Sequence, residues 1–232
     1  MIEDVHRHFE LLLGLCIEPR SASRWNPMWH DNIEFLVWEH FVVTSAMLAE
    51  GDEWDSLGVL LGHLYAVQDR YSEMGYRTFA TFESHQGSLG QVRNRRLALK
   101  RASVTADMLR ERSEQGGPGF DALIDVELLL FVRSVLDAFQ ENAPEELQSL
   151  WRPRTFVYRG NNPRWGIRPR LKSRRFFQKM RASLGVSDVA ELTERVAALH
   201  TPDRRVFEVG FTSLGTRSVG GLLGINEIAS IP

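Results

Sequence analysis

Apolar positions in the first 150 residues gather into segments of helical length, each closed by a recognisable stop. Ile2 to Ile17 carries the run LLLGLCI and ends before Pro19. Asn26 and Pro27 pair as N-cap and first-turn residues and open a helix that reaches about Glu50. Its apolar residues Trp29, Ile33, Leu36, Val37, Trp38, Phe41, Val42, Met47 and Leu48 cover most of the circumference, which predicts a central, buried helix. Ser56 to His85 holds no proline and reads as one long helix, broken after it by Gly87. Leu89 to Ser113 reads as a charged helix, and EQGGPG at 114–119 as the loop that follows it. A strand would fit the apolar run in Phe120 to Phe139, but the length of the segment favours a buried helix. Asn142 and Pro144 open a short helix ending near Leu150.

From Trp151 the texture changes, because prolines and glycines replace sustained periodicity. Ser173 to Ser183 predicts one short helix, and Asp188 with Glu191 forms a capping box for another that ends near His200. RRVFEVGF predicts a strand, and the glycine-rich tail GTRSVGGLLGINEIASIP predicts irregular backbone. The expected fold is therefore mainly α. A helical bundle over residues 1–150 is packed, as one unit, with a C-terminal region over 151–232 of short helices and one or two short strands.

Composition agrees with a packed chain: 232 residues at 43% hydrophobic can bury a sizeable core. The one cysteine, Cys16, allows neither an intrachain disulfide nor a cysteine-based zinc site, and the expected compartment is the cytoplasm. The opening MIEDVHRHFE suits no signal peptide, and no apolar run is long enough to span a bilayer.

Charge adds what hydropathy does not. Residues 1–90 hold fourteen acids and five bases, whereas residues 151–181 hold eleven bases and no acid, in a chain of formal net charge −2. The molecule is expected to be bipolar, an acidic bundle carrying a basic segment. In that segment the cations alternate with Trp151, Phe156, Tyr158, Trp165, Phe176 and Phe177, and Arg outnumbers Lys by nine to two. Forked guanidinium donors suit phosphate, and aromatic faces suit unpaired bases.

The leading expectation is thus a binding protein for nucleic acid or another polyanion. Its expected ligand-binding residues are Arg154, Tyr158, Arg159, Arg164, Trp165, Arg168, Arg170, Lys172, Arg174, Arg175 and Lys179. On a helix from Ser173, Arg174, Arg175 and Lys179 share one side while Phe176, Phe177 and Met180 face inward. Arg93, Arg96 and Lys100 form a second basic cluster on the fourth helix, and the two clusters together could line one groove. The competing reading turns the arginines inward, as ion-pair partners for the acidic helices. A third reading gives the basic arm an acidic protein partner.

Two short motifs add a catalytic alternative. Arg195 and His200 have the Arg-x4-His spacing that resembles HEPN-type helical ribonucleases, although Val196 stands where such motifs usually have a polar residue. The resemblance implies action on a 2′-hydroxyl and phosphate. FVYRG at 156–160 with Asn226-Glu227 resembles the first Arg and last Glu of R-S-E ADP-ribosyltransferases, which implies that Arg159 holds NAD phosphates and Glu227 orients the ribose. Phe211-Thr212-Ser213 lies too close to Glu227 for the intervening strands of that family. His6, Glu10, His30, Glu34, Glu39, His40, His63, Asp69 and Glu73 show no metal-ligand spacing, and neither metal nor cofactor is expected. Asp125, Glu127 and Arg133 sit in a strongly apolar segment and need partners; Asp137 suits Arg133, and an Arg of 151–181 suits Asp125.

Overall fold

Each amphipathic segment must bury its apolar face against another, and helices supply nearly all of those faces here. The computed structural model describes residues 2–16, 27–68, 74–83, 87–98, 101–140, 149–159, 165–199, 205–209 and 212–232. Helix α1 (Ile2–Leu15) lies on α2 (Pro27–Glu50), which also packs against α3 (Trp54–Gly62). Then come a hairpin of β1 (Tyr65–Gln68) and β2 (Met74–Arg77), a 3-10 turn at Phe79–Phe82, α4 (Gly87–Arg96), α5 (Val104–Ser113) and α6 (Phe120–Ala138). A second 3-10 turn, Arg154–Tyr158, leads to α7 (Arg168–Leu171), α8 (Arg174–Leu184) and α9 (Val189–Ala198). Then follow β3 (Arg205–Val209), β4 (Thr212–Gly215), α10 (Thr216–Leu223) and a 3-10 turn at Ile225–Glu227. The fold is mainly α, and the strands among the described residues make two separate antiparallel pairs.

Helix α6 is the most buried element. Its side chains from Val126 to Val132 are all shielded, which is what the uninterrupted LLLFV run requires. One apolar cluster joins Phe9 and Phe41 to Trp151, Phe177 and Leu223, so it draws on residues from both sides of position 150.

The expected long helix over Ser56 to His85 is corrected. It ends at Gly62 and gives way to the hairpin, with Tyr65 opposite Arg77 and Gln68 opposite Met74. Tertiary partners capture groups that a helix would use internally. The Ala66 N–H donates to Glu10 Oε1 at 3.0 Å, and the buried Tyr65 hydroxyl donates to the Leu60 carbonyl at 2.8 Å. The charged helix of Leu89 to Ser113 is likewise two helices, because Ala98 turns left-handed at φ 50° and Ser103 caps α5 by accepting from Ala106 N. The tail is not irregular throughout. Val219, Leu222 and Leu223 bury one face of α10, Ser218 Oγ accepts from Gly215 N at 3.1 Å, and Gly224 closes the helix at φ 63°.

Helix α2 needs a subtler correction. It is central, but Trp29, Ile33, Leu36 and Met47 face solvent rather than core. The short helix from Asn142 lies outside the described residues.

Candidate functional site

The basic segment is fastened to α6 before it reaches the surface. Glu127, 0% exposed, accepts from Thr155 N and Oγ1, both at 2.7 Å, and from Trp151 Nε1 at 3.3 Å. Burial pushes its carboxyl pKa up, and the Thr155 donors pull it back. Ser134 Oγ accepts from Trp151 N at 2.9 Å. Backbone and side chain of 151–155 are thereby held to one face of a core helix, and Trp151 and Phe156 complete the core.

Beyond this anchor the cations turn mostly toward the chain's own acids. Arg154 pairs with Glu83 at 3.1 Å and lies over the Trp38 ring at 5.1 Å. Arg159 pairs with Asp121 and Asp125, each at 3.4 Å, and Asp125 also accepts from Gly166 N. Burial raises the Asp125 pKa, while the Gly166 donor and Arg159 oppose it. Tyr158 donates to Asp107, and the buried Trp165 donates its indole N–H to the Asp125 carbonyl at 2.9 Å. Arg168 and Lys172 both meet Glu227, and Arg168 also donates to the Gly221 carbonyl. Arg170 pairs with Asp52 at 3.7 Å and lies 4.0 Å over the Phe176 ring; Lys179 pairs with Asp52 too.

Asp52 is the residue that sequence reasoning missed. It ends the turn after α2 at φ 60°, accepts from Trp54 Nε1 at 2.8 Å and has its pKa held low, chiefly by the Lys179 hydrogen bond. An acid directly after Gly51 and before the Trp54 start of α3 was its sequence signal.

Within the basic segment, charge remains outward at Arg152 and along α8. Ser173 caps it by accepting from Phe176 N, Gly185 closes it at φ 71°, and Phe176, Phe177 and Met180 face the core as their spacing predicts. Arg174, Arg175, Lys179 and Arg181 occupy the opposite side. Arg174 and Arg175 are exposed and have no ion-pair partner among the described residues. With Gln178, Lys179, Arg181, Ser187 and Asp55 they line an open depression of about 840 Å³. Arg181 is tied to the Ser187 carbonyl. Two parallel-strand contacts fix the start of the helix, since Arg174 N donates to Ile231 O at 2.8 Å and Ile231 N donates to Lys172 O at 2.9 Å.

The second cluster is divided. Arg93 pairs with Glu111 at 2.7 Å, Arg96 is exposed on α4, and Lys100 and Arg164 lie outside the described residues. Helix α4 packs on α2 and α5, whereas α8 packs on α3, α6 and α7, so the clusters stand on different supports. The aromatics of the expected binding surface are core residues instead: Trp151, Phe156, Trp165, Phe176 and Phe177 are buried, and Tyr158 is half-buried against Phe120 and Asp107.

The catalytic candidates have structural partners. Arg195 pairs with Glu191 one turn earlier, while His200 lies outside the described residues. Glu191 also accepts from Ser187 N and Oγ, reaching one residue further back than the expected capping box, and its pKa falls to about 2 through those bonds. Asp188 does accept from Glu191 N at 2.9 Å. Arg159 and Glu227 are held by different groups, Asp121 and Asp125 for the first, Lys172 and Arg168 for the second.

Among the described residues, His30, Asp31 and Glu34 approach one another as a set of metal ligands would, with donor atoms within 4.8 Å. Each donor has protein work. Asp31 caps α4 through Ser88 N, Ser88 Oγ and Leu89 N, and His30 meets the Cys16 carbonyl and Glu34. His6 and His63 stack at 3.9 Å, and His63 lies 3.3 Å from Glu10. No described helix is long and apolar enough to cross a membrane. No protein-family model, curated protein or solved structure matches the chain.

Proposed function

We propose that the protein binds phosphate-rich polyanions, nucleic acid foremost, on the outward face of α8, through charge rather than base stacking. The observation that carries this reading is the exposure of Arg174 and Arg175, without ion-pair partners among the described residues, on the rim of a wide depression. Among their neighbours, Gln178 adds a neutral donor and Arg181 a third cation, while Asp55 and the Asp52-paired Lys179 bound the positive rim. Arginine forks bind phosphate oxygens in pairs, and an open, shallow site suits a continuous backbone better than an enclosed small molecule. With the segment's aromatics in the core, stacking on bases contributes little, so sequence preference is expected to be weak.

The test is fluorescence anisotropy with labelled single-stranded RNA, duplex DNA and polyphosphate across a salt series. Two to four phosphate contacts predict a log-log salt slope of about −1.5 to −3 on single strands. Arg174→Glu with Arg175→Glu should reduce affinity about tenfold or more at low salt and leave the far-UV CD spectrum unchanged. Undiminished binding by that variant, or no binding to any of the three at about 50 mM salt, defeats the proposal.

A further inference from the structure

Helix α2 presents solvent with the wrong kind of surface for an outer helix. The exposed positions between Met28 and Leu48 are Trp29, Asn32, Ile33, Leu36, His40 and Met47. None is an acid, Lys or Arg. Trp29, Ile33, Leu36, His40, half-buried Val43 and Met47 follow one another at steps of four, three, four, three and four residues. That is the a/d seam of a heptad repeat, which keeps one line of side chains facing a partner helix. An outer helix in water ordinarily turns polar residues to that side.

The neighbouring surface continues the patch. On one flank, Leu11 and Leu15 of α1 are 66% and 61% exposed, and His8 meets His40 at 3.3 Å. On the other flank a cavity of about 350 Å³ opens between α2 and the α5–α6 turn, where Leu36, Val43, Leu109, Pro118 and Leu123 share the wall with the Glu39–Arg112 ion pair. Nothing among the described residues covers this face. Trp29, Leu36, Met47, Leu11 and Leu15 are each about half or more exposed, a broader apolar patch than the single side chains scattered over monomer surfaces.

We propose that the face is the interface of a homodimer in which α2 packs antiparallel on α2 of a second copy. Two features select a second copy as the occupant. The first is extent: five large apolar side chains, each about half or more exposed, form on each copy a patch on the scale of one side of a specific stable interface, which buries roughly 1,200–2,000 Å² in all. The second is the order of side chains along the seam. A two-fold axis crossing at about residue 38 sets Trp29 against Met47, Ile33 against Val43 and Leu36 against His40, so every seam position has a partner and the surface is self-complementary. Sliding the pair by one heptad leaves two seam positions of each helix unpaired, and the register is therefore fixed. The seam's polar member, His40, then lies near the centre, where a single polar residue sets register at some cost in stability.

Sedimentation velocity of the full chain from about 1 to 100 µM reads the outcome, and Ile33→Glu with Leu36→Glu should raise the dimer dissociation constant about a hundredfold or more. For the wild-type chain a mass near twice that of one copy is expected. Arg174→Glu should stay dimeric. If the double variant fails to fold, a second readout stands independently of it: Trp29→Cys with Met47→Cys, in a Cys16→Ser background, should oxidise to a cross-linked dimer. Wild-type protein that stays monomeric throughout overturns the proposal. So does a dimer insensitive to Leu36→Glu, or cross-linking by Trp29→Cys alone as readily as by the pair, which marks a parallel arrangement.

Discussion

Glu127 decides more than its single charge suggests. A carboxylate with no exposure has to be fully hydrogen-bonded, and its acceptors are met by donors from the segment at Trp151 and Thr155. With Ser134 and Asp125 it joins the basic segment to the most buried helix. Replacing it with Gln keeps the size but turns an amide NH2 toward donors, so Glu127→Gln should lower stability by about 1–3 kcal/mol. Urea unfolding followed by Trp fluorescence measures this, and a midpoint equal to wild type would show that the contacts are dispensable. The need of Asp125 and Glu127 for partners was legible in the sequence; which arginine or backbone group would answer was not. Asp125 found Arg159 as expected, while Glu127 took a threonine and an indole that no charge pattern announced. Arg133 found Asp137 at 2.6 Å, the four-residue spacing that could be read directly.

At the scale of elements, α3 and α8 pack in close contact. A Cβ added at Gly58 would lie 2.7 Å from the Ala182 Cβ and 2.9 Å from its backbone carbon, so the helices meet only because position 58 has no side chain. Gly58→Ala is expected to destabilise by about 1–3 kcal/mol through forced separation, despite alanine's better helix propensity. Gly62→Ala, where an added Cβ meets nothing within 4 Å, serves as the comparison and should be neutral or mildly stabilising. Thermal melts of the two variants check the contrast, and equal melting temperatures would remove the packing argument. Helix starts with local chemistry were readable: Pro27 opens α2, Ser173 opens α8, and Asp188 caps α9. Elements decided by distant partners were not. The hairpin at Tyr65–Arg77 depends on Glu10, fifty-six residues from Ala66, and no local window contains that bond.

For the whole molecule, the acidic and basic halves neutralise each other across their contact. Among the described residues, six cations of 151–181 pair with acids: Arg154, Arg159, Arg168, Arg170, Lys172 and Lys179. Five acids answer them, and only Glu227 lies outside residues 1–150. Most of these pairs are partly exposed, where water and salt screen their attraction, so the apolar cluster rather than the charge holds the regions together. Because Trp151, Phe177 and Leu223 share that cluster with Phe9 and Phe41, the regions should unfold together. Far-UV and near-UV CD are expected to give coincident urea transitions; two resolved transitions would mark separate folding units.

By itself the sequence determined the class of the fold, the position of the buried helix Phe120–Ala138, the amphipathic face of α8 and the existence of a charge asymmetry, because periodicity, caps and composition are local properties. Only the tertiary structure decided which way each cation points. An arginine's side chain is long enough to reach solvent or a neighbouring acid, and the choice rests on whether an acid from elsewhere in the chain stands within reach. Arg154 and Arg159 pair with one; Arg174 and Arg175, on the far side of a helix whose inner face is phenylalanine and methionine, pair with none among the described residues, although Asp55 lines the same depression.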